Sequence, residues 1–263
     1  MSELDRIGLE AFGVPLAISA PSAVLPRVET VLPPGWSRRE PAEEDHEFSL
    51  RPRTGSTYAV VDEVGALSGS SDLEIALQIL DSRLRACIAL HAPDYIFVHA
   101  GAVAHGGRAI VIPGRSFGGK TTLVAELVRA GATYYSDEFA VLDGQGLVHP
   151  YPKRLSIRQY GQDYDVGALG GGAGDSPLRI GLIAAGLYVP GVRWEPRRLS
   201  GGEAVLEMLS NTVPAQERPE QALSAIRHAV EGAVVLKGER GEAAEVVDDL
   251  LQRAAPQPES LRD

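Results

Sequence analysis

The stretch RAIVIPGRSFGGKTTLVAELVRAGA, residues 108–132, constrains this chain more than any other. RAIVI is a short apolar run bounded by proline, the mark of a buried strand. Leu123, Val124, Leu127 and Val128 follow the one-face spacing of an amphipathic helix, which Gly131 closes. Between the two periodicities stands the pattern G-x-x-x-x-G-K-T, from Gly114 to Thr121. The unit is therefore strand, glycine loop, helix.

Those residue types have a common chemical reading. Glycines let a loop curl until its backbone N–H groups converge on an anion. The first turn of the following helix adds unpaired N–H groups and the positive end of the helix dipole. Lys120, one of three lysines in the chain, can reach the outer phosphates of a nucleotide, and the Thr121 hydroxyl can ligand Mg²⁺. The expected ligands are ATP and Mg²⁺. Gly114, Arg115, Ser116, Phe117, Gly118, Gly119, Lys120, Thr121 and Thr122 are the expected contacts.

Composition bounds the rest. A chain of 263 residues accommodates one large domain, or a core with a smaller attachment, and 44% hydrophobic residues suffice for a sizeable core. No apolar run approaches the ~18 residues of a membrane span, and MSELDRIGLE lacks the basic and apolar regions of a secretion signal. The single cysteine, Cys87, permits no internal disulfide, which agrees with a cytoplasmic setting. Its apolar neighbours mark it as a structural thiol rather than a nucleophile. A net charge of −10 argues against a nucleic-acid surface.

Along the chain, residues 1–70 mix short β-like runs with Pro and Gly and read as a small α+β lobe. VLPPGWSRREPAEEDHE within it reads as an exposed loop. Leu73, Ile75, Ala76, Ile79, Leu80, Leu84 and Cys87 predict a helix capped by Ser71 or Asp72. Residues 71–198 read as the core. In it, YIFVHAGAVAHGGRAIVIPG predicts a hairpin turning at Gly106-Gly107 and running straight into the loop. GALGGGAGD, residues 167–175, reads either as a solvated connection or as a flap near the site. Residues 199–263 read as a helical tail.

Three further groups bear on chemistry. Asp137-Glu138 ends the strand after the loop helix, where sheet topology brings strand ends beside a phosphate loop. One carboxylate can accept a proton from an attacking hydroxyl while the other helps to hold Mg²⁺; a solvated acidic turn is the bland alternative. His99 lies on the hairpin strand beside the strand entering the loop, although a histidine on an apolar strand is more often a core residue. Arg154, Arg158, Arg197 and Arg198 are candidate phosphate clamps, with Arg115 inside the loop.

Taken together, VHAGAV, GRSFGGKTTLVAELVRAGATYYSDEFAVLD and their order resemble the catalytic core of the HPr kinase/phosphorylase family over about residues 95–160. RLSGGEAVLEMLSNT looks like the tail of the shorter HPr-kinase-related proteins. The resemblance implies an α/β fold with a mixed sheet around a P-loop kinase core, of the kind shared with ATP-dependent phosphoenolpyruvate carboxykinases. It further implies Asp137 as catalytic base, His99 as an active-site residue near it, Lys120 on the β- and γ-phosphates, and Thr121 with Glu138 at Mg²⁺. The implied reaction is transfer of the γ-phosphoryl of ATP to a serine-type hydroxyl. The implied acceptor is a peptide or small protein, including ribosomal peptides such as lasso precursors. Glu138 stands where the family usually has a second Asp, and Phe117 where a small residue is common. The arginine- and glycine-bearing signature that follows the core in true HPr kinase/phosphorylases has no convincing copy here, so the resemblance leaves HPr, a ribosomal peptide and a free small molecule all open as acceptor, and does not carry the phosphorylase activity over. Monomer and homo-oligomer both stay open. A non-catalytic nucleotide-binding regulator and an NTPase are the competing classes; for the latter, FAVLD ending at Asp143 is a weak match to a second acidic strand.

Overall fold

A computed structural model describes residues 4–66, 71–114, 118–157, 162–164 and 166–255. The chain divides into two compact units, Met1–Asp94 and Tyr95–Asp263. The sequence expectation set the first boundary at residue 70. The difference is the helix Leu73–His91, which packs on strands of the N-terminal unit.

The N-terminal unit is a six-stranded mixed sheet with one long helix. Its strands are β1 (Leu4–Ala11), β2 (Val14–Pro21), β3 (Ser37–Arg39), β4 (His46–Pro52), β5 (Tyr58–Asp62) and β6 (Gly65–Ala66), in the order β3-β1-β2-β4-β5-β6. A short helix α1 (Leu25–Glu29) follows β2, and α2 (Leu73–His91) closes the unit. Asp72 rather than Ser71 caps α2, its carboxylate accepting from the Ile75 N–H at 2.9 Å. The proline-rich segment expected as an exposed loop contributes β3, and its Asp45 is buried against Arg39. Burial of the Asp45 charge is outweighed by the Ala42 N–H and Arg39, so its pKa lies below the usual value.

The C-terminal unit is a three-layer α/β arrangement. Strands β7 (Ile96–His105) and β8 (Arg108–Pro113) form the expected antiparallel hairpin, with His105 opposite Arg108. Gly106 and Gly107 both take positive φ, 58° and 76°, which the two-residue turn requires. Then follow α3 (Lys120–Arg129), β9 (Thr133–Ser136), β10 (Phe139–Leu142), β11 (Val148–His149), β12 (Leu155–Ile157), β13 (Gln162–Tyr164) and β14 (Ile180–Tyr188). The chain ends with β15 (Arg197–Arg198), α4 (Gly201–Leu209), α5 (Pro219–Val230), β16 (Val234–Arg240) and α6 (Val247–Ala254). The main sheet runs β11-β10-β7-β8-β14-β16-β15, with β9 also on β7; β8, β14 and β16 are mutually parallel and the rest antiparallel. β12 and β13 pair separately.

Side chains alternate across β7. Val98, Ala100 and Ala102 face the layer of α4 and α5, packed with Met208, Ala222 and Ile226. Val103 faces the opposite layer, with Leu123, Val124 and Leu127 of α3 and Leu250 of α6. The tail read as wholly helical contains β16, inserted between β14 and β15. Only four apolar residues, AVVL, announce it between two helical patterns, and a run that short does not distinguish strand from helix by periodicity.

Candidate functional site

The loop after β8 lies between a strand end and a helix start. Gly119 is the N-cap of α3 and takes the left-handed conformation, φ 75°. An added Cβ there would lie 2.7 Å from Nη2 of Arg240, so both backbone shape and space call for glycine. Lys120, the first helical residue, folds its ammonium back to donate to the Gly114 carbonyl at 2.7 Å. Burial lowers the Lys120 pKa, an effect partly opposed by the Asp137 charge. Arg115, Ser116 and Phe117 lie outside the described residues. Gly118, Thr121 and Thr122 are half-buried around the same turn.

The acidic pair occupies the break between β9 and β10, both of which pair with β7. Ser136 opposes Ala102 and Phe139 opposes His99, so Asp137 and Glu138 sit beside His99 in the register. The buried Ser136 hydroxyl accepts from the N–H groups of Glu138, at 3.1 Å, and Phe139, at 3.0 Å, which holds the turn. Asp137 is 7% exposed. Its Oδ2 accepts from the Thr121 hydroxyl at 3.0 Å, and its Oδ1 accepts from the Tyr134 phenol at 3.0 Å. Tyr134 Oη also lies 2.9 Å from the Lys153 carbonyl, a second acceptor for its one proton. Burial, then the Asp137 charge, push the Tyr134 pKa far above its ordinary value, so it remains a donor. Glu138 is turned elsewhere, accepting from the Lys153 ammonium at 3.0 Å.

These positions test whether Mg²⁺ suits the site. Magnesium takes oxygen ligands in near-octahedral array at about 2.0–2.1 Å, which sets neighbouring ligand oxygens about 2.9 Å apart. Thr121 Oγ1 and Asp137 Oδ2, 3.0 Å apart, match one such edge. Thr121 and Asp137 are thus compatible with the ion, while Glu138, the carboxylate expected there, accepts from Lys153.

His99 joins the site through backbone and ring. Its carbonyl accepts from the Gly114 N–H at 3.1 Å, and its N–H donates to Asn211 at 2.7 Å. The ring tilts against Phe139, centroids 5.0 Å apart, with its other side open to solvent. Desolvation on the packed side, then the Lys120 charge, lower its pKa.

Arg240 is a residue that sequence reasoning missed. It enters on β16, buried to 3% exposure, and donates from Nη2 to the Gly119 carbonyl at 2.8 Å. Its guanidinium carbon lies 5.7 Å from the centre of the Tyr188 ring. Burial lowers its pKa below the ordinary arginine value. Among the described residues its Nε is a buried donor with no hydrogen-bond partner. No local pattern marks it, because 120 residues separate Arg240 from Lys120 in sequence.

The arginines singled out from sequence are more dispersed. Arg154 is exposed, and Arg158 lies outside the described residues. Arg197 and Arg198 are exposed on β15, with Arg197 paired to Glu203 at 2.8 Å. Arg197 lines a cavity of about 790 Å³ that opens beside Gly114, Gly118 and Lys120 and extends to Asn211 and Lys237. That volume is within the range of small-molecule sites. Asp143 holds the turn between β10 and β11, accepting from Gln145 N, Leu147 N and His149 Nε2. The glycine-rich segment is largely exposed, as a solvated connection would be, and it is tethered to β9: Gly172 O accepts from Tyr134 N and Gly174 N donates to Tyr134 O. Among the described residues no helix is long and apolar enough to cross a membrane. No model of a known protein family matches the chain, and no curated protein matches it in sequence.

Proposed function

We propose that this protein is an ATP-dependent kinase of the HPr-kinase-like kind, which transfers the γ-phosphoryl group to a serine-type hydroxyl of a peptide or small protein. The observation that carries this reading is the 3.0 Å contact between Thr121 and Asp137, which brings a buried carboxylate to the first turn after the glycine loop. Loop N–H groups, the α3 N-terminus and Lys120 would bind the phosphates. Thr121, beside Asp137, would hold Mg²⁺, which would supply neutralisation of phosphate charge.

The reaction forms a bond from the acceptor oxygen to Pγ and breaks the bond from Pγ to the β–γ bridging oxygen, releasing ADP. The acceptor proton passes to the Asp137 carboxylate. Tyr134 and Ser136 are positioning residues for that carboxylate. Arg240 supports the loop from beneath, and neutral His99 flanks its entrance.

Asp137→Asn tests the proposal. The amide preserves shape and can still accept from Thr121, so Mg·ATP affinity measured by calorimetry should fall far less than the transfer rate. Transfer from labelled ATP to serine-bearing peptides or HPr should fall at least ~10²-fold, the scale of a positioned proton acceptor. Near wild-type transfer by this variant would overturn the mechanism. Mg·ATP binding by the wild type without transfer to any acceptor would favour the nucleotide-binding regulator, and turnover without an acceptor the NTPase.

A further inference from the structure

We infer that the N-terminal unit carries a transition-metal site of the Zn²⁺ class, built from His46, Cys87 and His91 and separate from the phosphate site. One ligand-capable atom from each residue lies within 4.8 Å of the others. Cys87 and His91 are four apart on α2 and share a helix face, while His46 is the first residue of β4. The fold of the unit thus brings together residues 41 positions apart in sequence.

The chemistry of the trio is selective. A thiolate and two imidazoles are borderline-soft donors that suit Zn²⁺ and discriminate against Mg²⁺. With Zn–N near 2.0 Å and Zn–S near 2.3 Å, tetrahedral ligand atoms lie about 3.5 Å apart, so ligand atoms now within 4.8 Å of one another would draw together on binding. The His46 and His91 rings are stacked, centroids 4.4 Å apart and 30° between planes, so ligation through their in-plane lone pairs would turn at least one ring.

The outer shell fits as well. His46 Nδ1 lies 2.8 Å from the Glu63 carboxylate. With that nitrogen donating to Glu63, Nε2 carries the lone pair for the metal, the usual carboxylate–histidine–metal arrangement. Glu63 and Asp62 also place negative charge near Cys87. A divalent cation would offset most of the combined charge of these carboxylates and the Cys87 thiolate. Binding exchanges the Cys87 S–H bond for a metal–sulfur bond and releases one proton to solvent, with water in the fourth position. The ion would tie the start of β4 to the C-terminal turn of α2.

The test uses metal-free full-length protein. Zn²⁺ should bind at one equivalent in competition with a chromophoric chelator, and Co²⁺ should give a thiolate charge-transfer band with intense tetrahedral d–d bands. His91→Ala, at an exposed position, and Cys87→Ser should each weaken Zn²⁺ by more than ~10²-fold, and Glu63→Gln by about 10–100-fold, the scale for a lost outer-shell partner. Thermal melts of the metal-free variants check their folding; if one is unfolded, the wild-type Co²⁺ spectrum decides. A wild type that fails to hold Zn²⁺, or whose Co²⁺ spectrum lacks the thiolate band, overturns the site. So does Zn²⁺ affinity unchanged in both folded variants, or lost in Asp137→Asn, which would move the ion to the phosphate site.

Discussion

His99 shows how one residue's environment sets its chemistry. Its ring packs against Phe139 and feels the Lys120 charge, and both disfavour the imidazolium. The folded-state pKa is therefore below the ordinary 6.5, and the ring is neutral at neutral pH. The folded protein binds this proton less readily than the unfolded chain. The stability contribution is complete above pH 6.5 and is lost as pH falls through the folded value. We expect the His99 ring resonances to titrate with a midpoint below 6.5 in an NMR pH series. Lys120→Met should move that midpoint up only part of the way, because desolvation is the larger cause. A wild-type midpoint at or above 6.5 would contradict the packing described.

At the scale of elements, the loop between β8 and α3 depends on β16. Gly119 holds a left-handed φ of 75°, and Arg240 from β16 donates to its carbonyl. Gly119→Ala places a Cβ 2.7 Å from Nη2, which must swing away from the carbonyl it serves. Backbone strain of this type costs about 1–3 kcal/mol, so the urea midpoint should fall accordingly, together with Mg·ATP affinity. Unchanged stability would mean that the turn relaxes without Arg240. The acidic break between β9 and β10 follows the same logic, since pairing with β7 on both sides confines it to residues 137 and 138, with the Glu138 carbonyl still accepting from the Ala100 N–H at 3.1 Å.

For the molecule as a whole, the division at Asp94 separates two sets of chemistry. Every described residue of the candidate phosphate site lies in Tyr95–Asp263, which has helices on both faces of its sheet. The trio on β4 and α2 lies in Met1–Asp94. Residues 95–263 expressed alone should fold and bind Mg·ATP within about tenfold of the full chain, by calorimetry, because domains with their own cores fold as units. A soluble fragment without ATP affinity would show that the nucleotide site needs the first 94 residues.

What the sequence determined by itself is local. The strand, glycine loop and helix around Lys120, the Gly106-Gly107 hairpin and the start of α2 each follow from residues within one turn or one strand of one another. There, periodicity, positive φ and capping act over a few bonds. The adjacency of Asp137-Glu138 was equally legible, yet their partners were not: both are carboxylates, and only packing turned Asp137 to Thr121 and Tyr134 while Lys153 took Glu138. Arg240, the strand that carries it, the stitching of the glycine-rich segment to β9, and the meeting of His46 with Cys87 and His91 were decided by tertiary structure alone. Hydrogen bonds and ligand clusters are satisfied across space, by whichever distant residues the sheet order brings alongside, and no spacing along the chain encodes that order.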